Sequence, residues 1–182
     1  VSPPPSAGQC KGLLKPALRD NNRVMFFEPK MLYPTKFDDV PDEGEDVCIP
    51  FGKARIVQEG SDITVVTNSM MTIKATKAVQ QLAKEGIRAE LIDLRTIVPL
   101  DTETIIRSVK KTGKLLIVDE GHISFGISGE IATRIMPDIF YDLEAPIQRR
   151  GTGGVALPFS PALECRIIPE EKSIAAKIRE MV

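Results

Sequence analysis

The single histidine of the chain, His122, follows two adjacent carboxylates, Asp119 and Glu120, at the end of an apolar run. A histidine beside acidic residues at the carboxyl end of a strand could act as a general base. No serine, cysteine or second histidine is patterned around it to complete a nucleophilic set, so a role in a loop or an interface is the main alternative. Adjacent strand residues point to opposite faces. We therefore expect Asp119 and Glu120 to make capping or interdomain hydrogen bonds, not to form an acid-base pair.

Two glycine-dense segments, residues 125–129 and 151–154, are the candidates for a phosphate-binding loop. Neither has the order of strand, glycine motif and helix that such a loop needs. We interpret residues 151–154 as a turn. Gly126 and Gly129 stand at a predicted helix start, where free N–H groups could meet an anion or the missing side chains could let a neighbouring chain pack closely.

Asp93 and Arg95 lie one residue apart and are followed by Thr96 and a Val-Pro pair. We interpret them as a strand end that fixes the following loop. The residue types and spacings therefore indicate no complete active site within this chain.

Composition excludes several classes of function. The 182 residues carry 24 Lys+Arg, 25 Asp+Glu and one His, a net charge of −1, so bulk charge does not predict binding to nucleic acid or to an anionic membrane. The longest apolar runs are far shorter than the roughly 18–20 residues that cross a bilayer, which predicts a soluble protein. Three scattered cysteines fit a reducing compartment and argue against a zinc site. The first residue is Val, and we expect the chain to be the C-terminal part of a longer polypeptide.

The polar residues discussed above, such as Asp93 and His122, are positioned by apolar runs that alternate with amphipathic segments. Strands are predicted at residues 24–27, 63–67, 89–94, 115–118 and 146–149. Helices are predicted at residues 10–19, from about 71 to a stop at Gly86, from an N-cap at Asp101 to a stop at Gly113, at 126–136, and at 169–182 with Pro169 near its first turn. This alternation predicts an α/β fold with a mostly parallel sheet.

Several motifs resemble a known family. Residues 92–101 read Ile-Asp-Leu-Arg-Thr-Ile-Val-Pro-Leu-Asp, residues 27–33 read Phe-Glu-Pro-Lys-Met-Leu-Tyr, and residues 49–54 read Ile-Pro-Phe-Gly-Lys-Ala. With Arg-Asp-Asn-Asn at 19–22 and Leu-Glu-Ala-Pro at 143–146, they resemble the beta subunit of the thiamine-diphosphate-dependent decarboxylating component of 2-oxo acid dehydrogenase complexes. The order and spacing hold over nearly the whole chain.

The resemblance implies a domain organisation. Residues 1–30 would be the last strand-helix-strand of a thiamine-diphosphate pyrimidine-binding domain, residues 31–59 a linker, and residues 60–182 a transketolase C-terminal-type domain. Thiamine diphosphate and Mg²⁺ would belong to the full alpha-beta enzyme. The family's activating carboxylate and catalytic histidine would lie upstream of residue 1, so no residue here inherits a catalytic or cofactor-binding role.

The resemblance also implies two binding features. The segment with Ala17, Leu18, Asp20 and Asn22 is similar to a loop that binds K⁺ through carbonyl and side-chain oxygens; the chain departs from the family at Arg23, where proline is common. A carboxylate at the position of Glu144 and the C-terminal carboxylate of Val182 would face the basic peripheral-subunit-binding domain of a dihydrolipoyl acyltransferase.

The expected partners are an alpha subunit and a second beta subunit, two of each, with self-association through the helix face of Gly126, Ile127, Gly129 and Ile131. Neither nucleic acid nor membrane is expected. Residues 158–164 favour a pyruvate or acetoin type of enzyme. Two alternatives stay open: a non-catalytic assembly module, and the C-terminal domain of a transketolase or deoxyxylulose-phosphate synthase relative. A bacterial cytoplasm is favoured, with the mitochondrial matrix as the other location.

Overall fold

The computed structural model describes residues 7–33 and 47–182. Within them the helices are α1 (Ala7–Arg19), α2 (Ser69–Lys84), α3 (Thr102–Thr112), α4 (Ile127–Ile139), α5 (Pro161–Ile167) and α6 (Glu171–Met181), and a 3-10 turn covers Lys30–Leu32. The strands are β1 (Arg55–Gln58), β2 (Ile63–Thr67), β3 (Ala89–Asp93), β4 (Leu115–His122) and β5 (Gln148–Thr152). No helix in this part of the chain is long and apolar enough to cross a membrane.

The strands form one sheet in the order β1-β3-β2-β4-β5. Strand β2 lies in the centre and pairs in parallel with β3 and β4, and β5 pairs in parallel with β4. Strand β1 lies at the edge and is antiparallel to β3. The mostly parallel α/β sheet predicted from the sequence is therefore confirmed.

Helices cover both faces of the sheet. Helices α2 and α6 pack with one set of strand side chains, including Val65, Leu91 and Leu116. Helices α3 and α4 pack with the opposite set, including Val66 and Ile117. Every residue of β2 and β3 is buried, on both faces of the sheet. The buried positions include the polar side chains of Thr64, Thr67, Glu90 and Asp93.

The predicted ends of α3 are confirmed. Asp101 is its N-cap, and its Oδ1 accepts a hydrogen bond from the Thr104 backbone N–H at 3.1 Å. Its Oδ2 accepts from the Ala54 N–H at 2.9 Å, so the same carboxylate also holds the segment that leads into β1. Gly113 ends the helix with a φ of 68°, in the left-handed region that favours glycine.

The predicted strand at residues 24–27 is wrong. These residues form no strand, and the Met25 and Phe27 side chains are exposed. The all-apolar run satisfies the pattern of a buried strand, but a strand needs a neighbour to complete its hydrogen-bond ladder. No described segment pairs with it, since the sheet holds only β1 to β5.

Three further boundaries differ from the predictions. Helix α4 runs past the predicted end at residue 136 and continues through Pro137 to Ile139. Strand β5 starts two residues later than predicted, since Pro146 has no N–H for the ladder. The C-terminal helix begins after Pro169, because Glu170 and Ser173 form a capping box that fixes the start of α6 at Glu171.

Helix α1 is packed onto the rest of the chain. Leu13 is fully buried, and the Ile49 N–H donates to the Gly12 carbonyl at 2.8 Å. Residues 55–58, inside the segment expected to be a linker, form β1 in the main sheet. Residues 1–6 and 34–46, which include the N-terminal prolines and the acidic part of that linker, lie outside the described residues. The domain boundaries stay predictions.

Candidate functional site

Glu144 and Val182, the two predicted partner-binding residues, contact consecutive residues at the start of β4. The Glu144 N–H donates to the Gly113 carbonyl at 2.8 Å. The Glu144 side chain also lies over Gly113, where an added Cβ would come within 2.7 Å of the carboxyl carbon. At the next residue, Lys114 Nζ donates to the Val182 carbonyl oxygen at 3.4 Å. The structure therefore brings these residues to the amino end of β4.

We call the surface formed by Glu144, Val182, Gly113 and Lys114 the corner, and its charges are only partly balanced. Glu144 is exposed and forms no ion pair with any residue in the described ranges. Val182 is about half exposed and is the C-cap of α6, at the negative end of the helix dipole. The ammonium group of Lys114 is favourable at this end of the helix. Sequence reasoning missed Lys114, although its place directly after a helix-ending glycine was a signal that it would lie at the start of the next strand.

A shallow apolar groove of about 470 Å³ adjoins Glu144. Its walls come from the end of α4 and the segment before β5: Met136, Phe140, Leu143, Glu144, Ala145, Pro146 and Ile147. Phe140 and Tyr141 stack edge to face at 5.1 Å, and both are exposed. The Glu144 carboxylate thus lies beside an apolar surface.

The predicted cation-binding residues lie at the end of α1. The carbonyls of Ala17 and Leu18 belong to the last turn of the helix, where carbonyls lack helical N–H partners. Asp20 Oδ1 accepts hydrogen bonds from the Asn22 backbone N–H at 2.8 Å and from Asn22 Nδ2 at 3.0 Å. This turn leaves the amide oxygen of Asn22 as a candidate ligand beside the predicted backbone carbonyls of Ala17, Leu18 and Asp20.

Asp93 ends β3 in a buried polar cluster. Its Oδ1 accepts from the Arg95 N–H and from Thr72 Oγ1, each at 3.3 Å. In the amide orientation that satisfies both of its neighbours, Gln9 of α1 donates to Asp93 Oδ2 at 3.1 Å and accepts from Arg55 at 3.0 Å. Burial raises the pKa of Asp93 to about 6. The expectation that this strand end fixes the following loop is confirmed, and the cluster also ties α1 to the sheet.

His122 is exposed, and its Nδ1 lies 2.9 Å from the Gly153 carbonyl oxygen. It therefore contacts the loop after β5, as the loop alternative predicted. Gly126 is needed for packing within the chain, because an added Cβ would lie 1.9 Å from the His122 carbonyl oxygen. Ile131 is buried in the chain's own core, so it is not part of an exposed dimerisation face.

The carboxyl ends of β2 and β4 border a cavity of about 430 Å³. Its wall is built from Phe27, Glu28, Pro29, Asn68, Ser69, Ile97, Asp119, Glu120, Gly121 and Ile127. Asn68 Nδ2 donates to Asp119 Oδ1 at 3.3 Å. Burial, together with the neighbouring charge of Asp119, raises the pKa of Glu120. Sequence reasoning missed Asn68 and Ser69, although polar residues directly after a buried parallel strand are a recognised signal for a ligand-binding edge.

Comparison with known proteins gives consistent matches. The family described as "Transketolase, C-terminal domain" matches residues 52–174. The beta subunit of the pyruvate dehydrogenase E1 component of Rickettsia felis is 44% identical over 181 residues, which cover 100% of this chain and 55% of that protein. The mitochondrial counterpart of Dictyostelium discoideum is 43% identical over 176 residues, 96% of this chain and 49% of that protein. The chain thus spans about half the length of these relatives.

Among solved structures, a split-gene transketolase described as an inactive beta4 tetramer matches all of this chain and 56% of its own, with a TM-score of 0.73 and 24% identity. At that identity the likeness concerns the fold alone.

Proposed function

The chain belongs to the transketolase C-terminal domain family, and from this membership we propose that it is the C-terminal part of the beta subunit of a thiamine-diphosphate-dependent 2-oxo acid dehydrogenase. The observation that carries the proposal is the 44% identity to a pyruvate dehydrogenase beta subunit over the whole chain. In the complete enzyme, an alpha subunit and a second beta subunit would join this chain. The reaction would decarboxylate pyruvate, or a related 2-oxo acid, and pass the acyl group to a lipoyl group.

This chain would serve assembly and docking, and the chemistry would take place elsewhere. The cavity at the carboxyl ends of β2 and β4 does not fit the cofactor, because its wall carries three carboxylates and no basic residue to meet a diphosphate. Thiamine diphosphate and Mg²⁺ would be held by upstream beta residues and by the alpha subunit. We expect the purified chain alone to reduce an electron-accepting dye with pyruvate no faster than a buffer blank.

A chimera tests the proposed enzyme directly. The corresponding C-terminal half of the Rickettsia felis beta subunit would be replaced by this chain and produced with its alpha subunit. We expect assembly and pyruvate-dependent acetylation of a lipoyl domain. A chimera that folds but fails to join the alpha subunit would contradict the proposal, and exchange of the same segment with that of another pyruvate dehydrogenase beta subunit is the control.

The acyltransferase would dock at the amino end of β4. Glu144 and the terminal carboxylate of Val182 offer two negative charges beside an apolar groove, which complements a small basic domain. Replacing Glu144 by Gln, or extending the chain past Val182, should weaken binding of the peripheral-subunit-binding domain by roughly 1–3 kcal/mol. Titration onto the assembled alpha-beta enzyme at low salt measures this loss.

The control for docking is Glu103→Gln, which removes the same charge from the opposite end of α3. It should leave the affinity unchanged. Equal affinity for all three variants would reject docking at this corner.

A K⁺ ion would bind at the end of α1 through the carbonyls of Ala17 and Leu18 with Asp20 and Asn22. The Asp20–Asn22 hydrogen bonds support this assignment because they turn the amide oxygen of Asn22 away from Asp20. We expect the melting temperature of the enzyme to be higher in KCl than in choline chloride, and Asn22→Ala to remove the difference. An equal KCl effect in the variant would contradict the site.

The relatives include bacterial and mitochondrial subunits. The proposed location is a bacterial cytoplasm, which fits the unpaired cysteines Cys10, Cys48 and Cys165.

A further inference from the structure

The cavity of about 430 Å³ lies at the point of the sheet where successive strands are added on opposite sides of β2. From β2 the chain passes through α2 to β3 on one side, and from β3 it passes through α3 to β4 on the other side of β2. The connections therefore diverge at the carboxyl ends of β2 and β4, which leaves a crevice of the kind where open α/β sheets bind ligands. The position of the crevice indicates where a ligand would bind, and the side chains that line it indicate the chemical class of that ligand.

One wall of the cavity consists of unsatisfied hydrogen-bond donors. Helix α2, 16 residues long, starts here at Ser69 with no side-chain cap, since the Asn68 amide donates to Asp119 instead. Ser69 is only 2% exposed, and its hydroxyl has no hydrogen-bond partner among the described residues. A buried hydroxyl without a partner is costly, and the first N–H groups of a helix attract negative charge. This wall therefore favours a ligand group that accepts hydrogen bonds and carries negative charge, such as a carboxylate.

The opposite wall consists of carboxylates. Glu120 makes no ion pair with any described residue, and Asp119 stands beside it. Glu28 lines the same cavity and accepts a hydrogen bond from the Tyr33 hydroxyl. The cavity lining thus holds three carboxylates and no basic residue, although the charge of the more distant Lys74 also acts on Glu120. An ammonium group in the cavity would be stabilised by these carboxylates. This wall therefore favours a positively charged ligand group.

The two polar walls lie close together. Asn68, the residue before Ser69, is hydrogen-bonded to Asp119 across the cavity edge at 3.3 Å. A ligand that contacts both walls therefore fits best with its negative and positive groups close together, as when both are attached to one carbon. The remaining wall is apolar, with Ile97, Ile127, Pro29 and the ring of Phe27, and it requires an apolar substituent.

We propose that this cavity binds a free α-amino acid with an apolar side chain. The carboxylate would accept from Ser69 Oγ and from the N-terminus of α2, the ammonium group would lie among the carboxylates that line the cavity, and the side chain would pack on Ile97 and Ile127. A phosphate or a simple carboxylate would be repelled by the carboxylates of the second wall. A simple amine would leave the Ser69 hydroxyl without a hydrogen-bond acceptor. Binding requires no chemical step and goes beyond the proposed function.

Titration calorimetry of the full 182-residue chain with four probes tests the proposal. Leucine carries all three features, 4-methylpentanoate lacks the ammonium group, 3-methylbutylamine lacks the carboxylate, and glycine lacks the apolar side chain. Leucine should bind with a Kd of about 1 mM or below, and each of the other three probes should bind at least about ten-fold more weakly. Preferential binding of 4-methylpentanoate or of 3-methylbutylamine would overturn the proposal, and so would no saturable binding of leucine.

Two variants locate the binding. Ser69→Ala should weaken leucine binding by about ten-fold, because it removes a donor to a charged group. The same change should leave the melting temperature equal or higher, since the removed hydroxyl is unsatisfied in the free protein. Glu120→Gln, at a partly exposed position, should weaken binding by a similar factor. Glu103→Gln is the matched charge control, and leucine affinity that is equal in all four proteins would overturn the site.

Discussion

At the scale of single residues, Asp93 shows how burial changes the chemistry of a carboxyl group. It is fully buried, and its pKa is raised from 3.8 to about 6. Between those values the folded chain holds a proton that the unfolded chain releases. Since the folded state then binds more protons, the free energy of unfolding falls as the pH rises through this window and is constant above it.

Asp93→Asn should remove this pH dependence. Asparagine keeps the shape and the acceptor oxygen but cannot ionise, so the cost of ionising the buried group disappears. Between pH 4.5 and 7.5 the wild type should lose about 2 kcal/mol that the variant does not lose. Urea unfolding of both proteins at the two pH values measures the difference, and parallel pH profiles would show that Asp93 does not titrate as described.

The sequence predicted some of these residues and missed others for a physical reason. The N-cap of Asp101 and the stop at Gly113 depend on neighbouring residues, and both were predicted. Ser69 was missed because its burial without a hydrogen-bond partner is a property of the folded chain that residue spacing does not show. The uncapped start of α2 likewise depends on a long-range contact, since the Asn68 amide donates to Asp119, 51 positions away. The contacts of Glu144 with Gly113 and of Val182 with Lys114 also depend on long-range packing. Family resemblance supplied Glu144 and Val182, and residue spacing would not have done so.

At the scale of elements, Gly113 both ends α3 and contacts Glu144, which belongs to the proposed docking site. Gly113 has a φ of 68°, and an added Cβ would lie 2.7 Å from the Glu144 side chain. Gly86 at the end of α2 has a φ of 90° with nothing within 4 Å of an added Cβ. The two glycines share the backbone requirement and differ only in the crowding.

Gly113→Ala should therefore destabilise the chain more than Gly86→Ala. We expect about 1 kcal/mol for the left-handed backbone in either variant and an additional loss at Gly113 as Glu144 is displaced. Urea unfolding gives both values, and only Gly113→Ala should also weaken acyltransferase docking. Equal losses at both sites would mean that Glu144 moves aside without cost.

Elements buried on both faces were the most predictable from sequence. Strands β2, β3 and β4 have buried apolar residues on both faces, and they lie where they were predicted, although β4 continues to His122. The half-buried β1 was missed, because its Arg-Ile-Val-Gln sequence follows a proline-rich segment and forms a strand only through β3. Helix α5 was missed because it has no buried residue to give it an apolar periodicity.

At the scale of the whole molecule, the exposed aromatic residues indicate where copies of the chain would meet. Phe125 is fully exposed at the tip of the turn before α4 and has a φ of 58°, which is strained for phenylalanine. Burial of this ring against another copy of the chain would remove apolar surface from water. Because Ile131 faces inward, Phe125 is the better candidate for self-association near α4.

Phe125→Asn should weaken self-association without destabilising the monomer. Asparagine tolerates the left-handed region and removes the apolar ring. Sedimentation at tens of micromolar, on the order of the weak end of specific interfaces, should show dimers for the wild type and a shift to monomer for the variant. Tyr141→Asn, at the far end of α4, is the control and should remain dimeric. A wild type that is purely monomeric would count against this prediction.

The length of β4 has a further consequence for how its two ends could communicate. Lys114 lies just before its amino end and Glu120 close to its carboxyl end, a separation of about 20 Å at roughly 3.3 Å per residue. An acyltransferase at one end and an amino acid at the other would therefore occupy the chain at once without steric conflict. Unless β4 has a second arrangement, their binding free energies should add, and each ligand should leave the other's affinity unchanged. Any measured cooperativity would then report a movement of the central sheet itself.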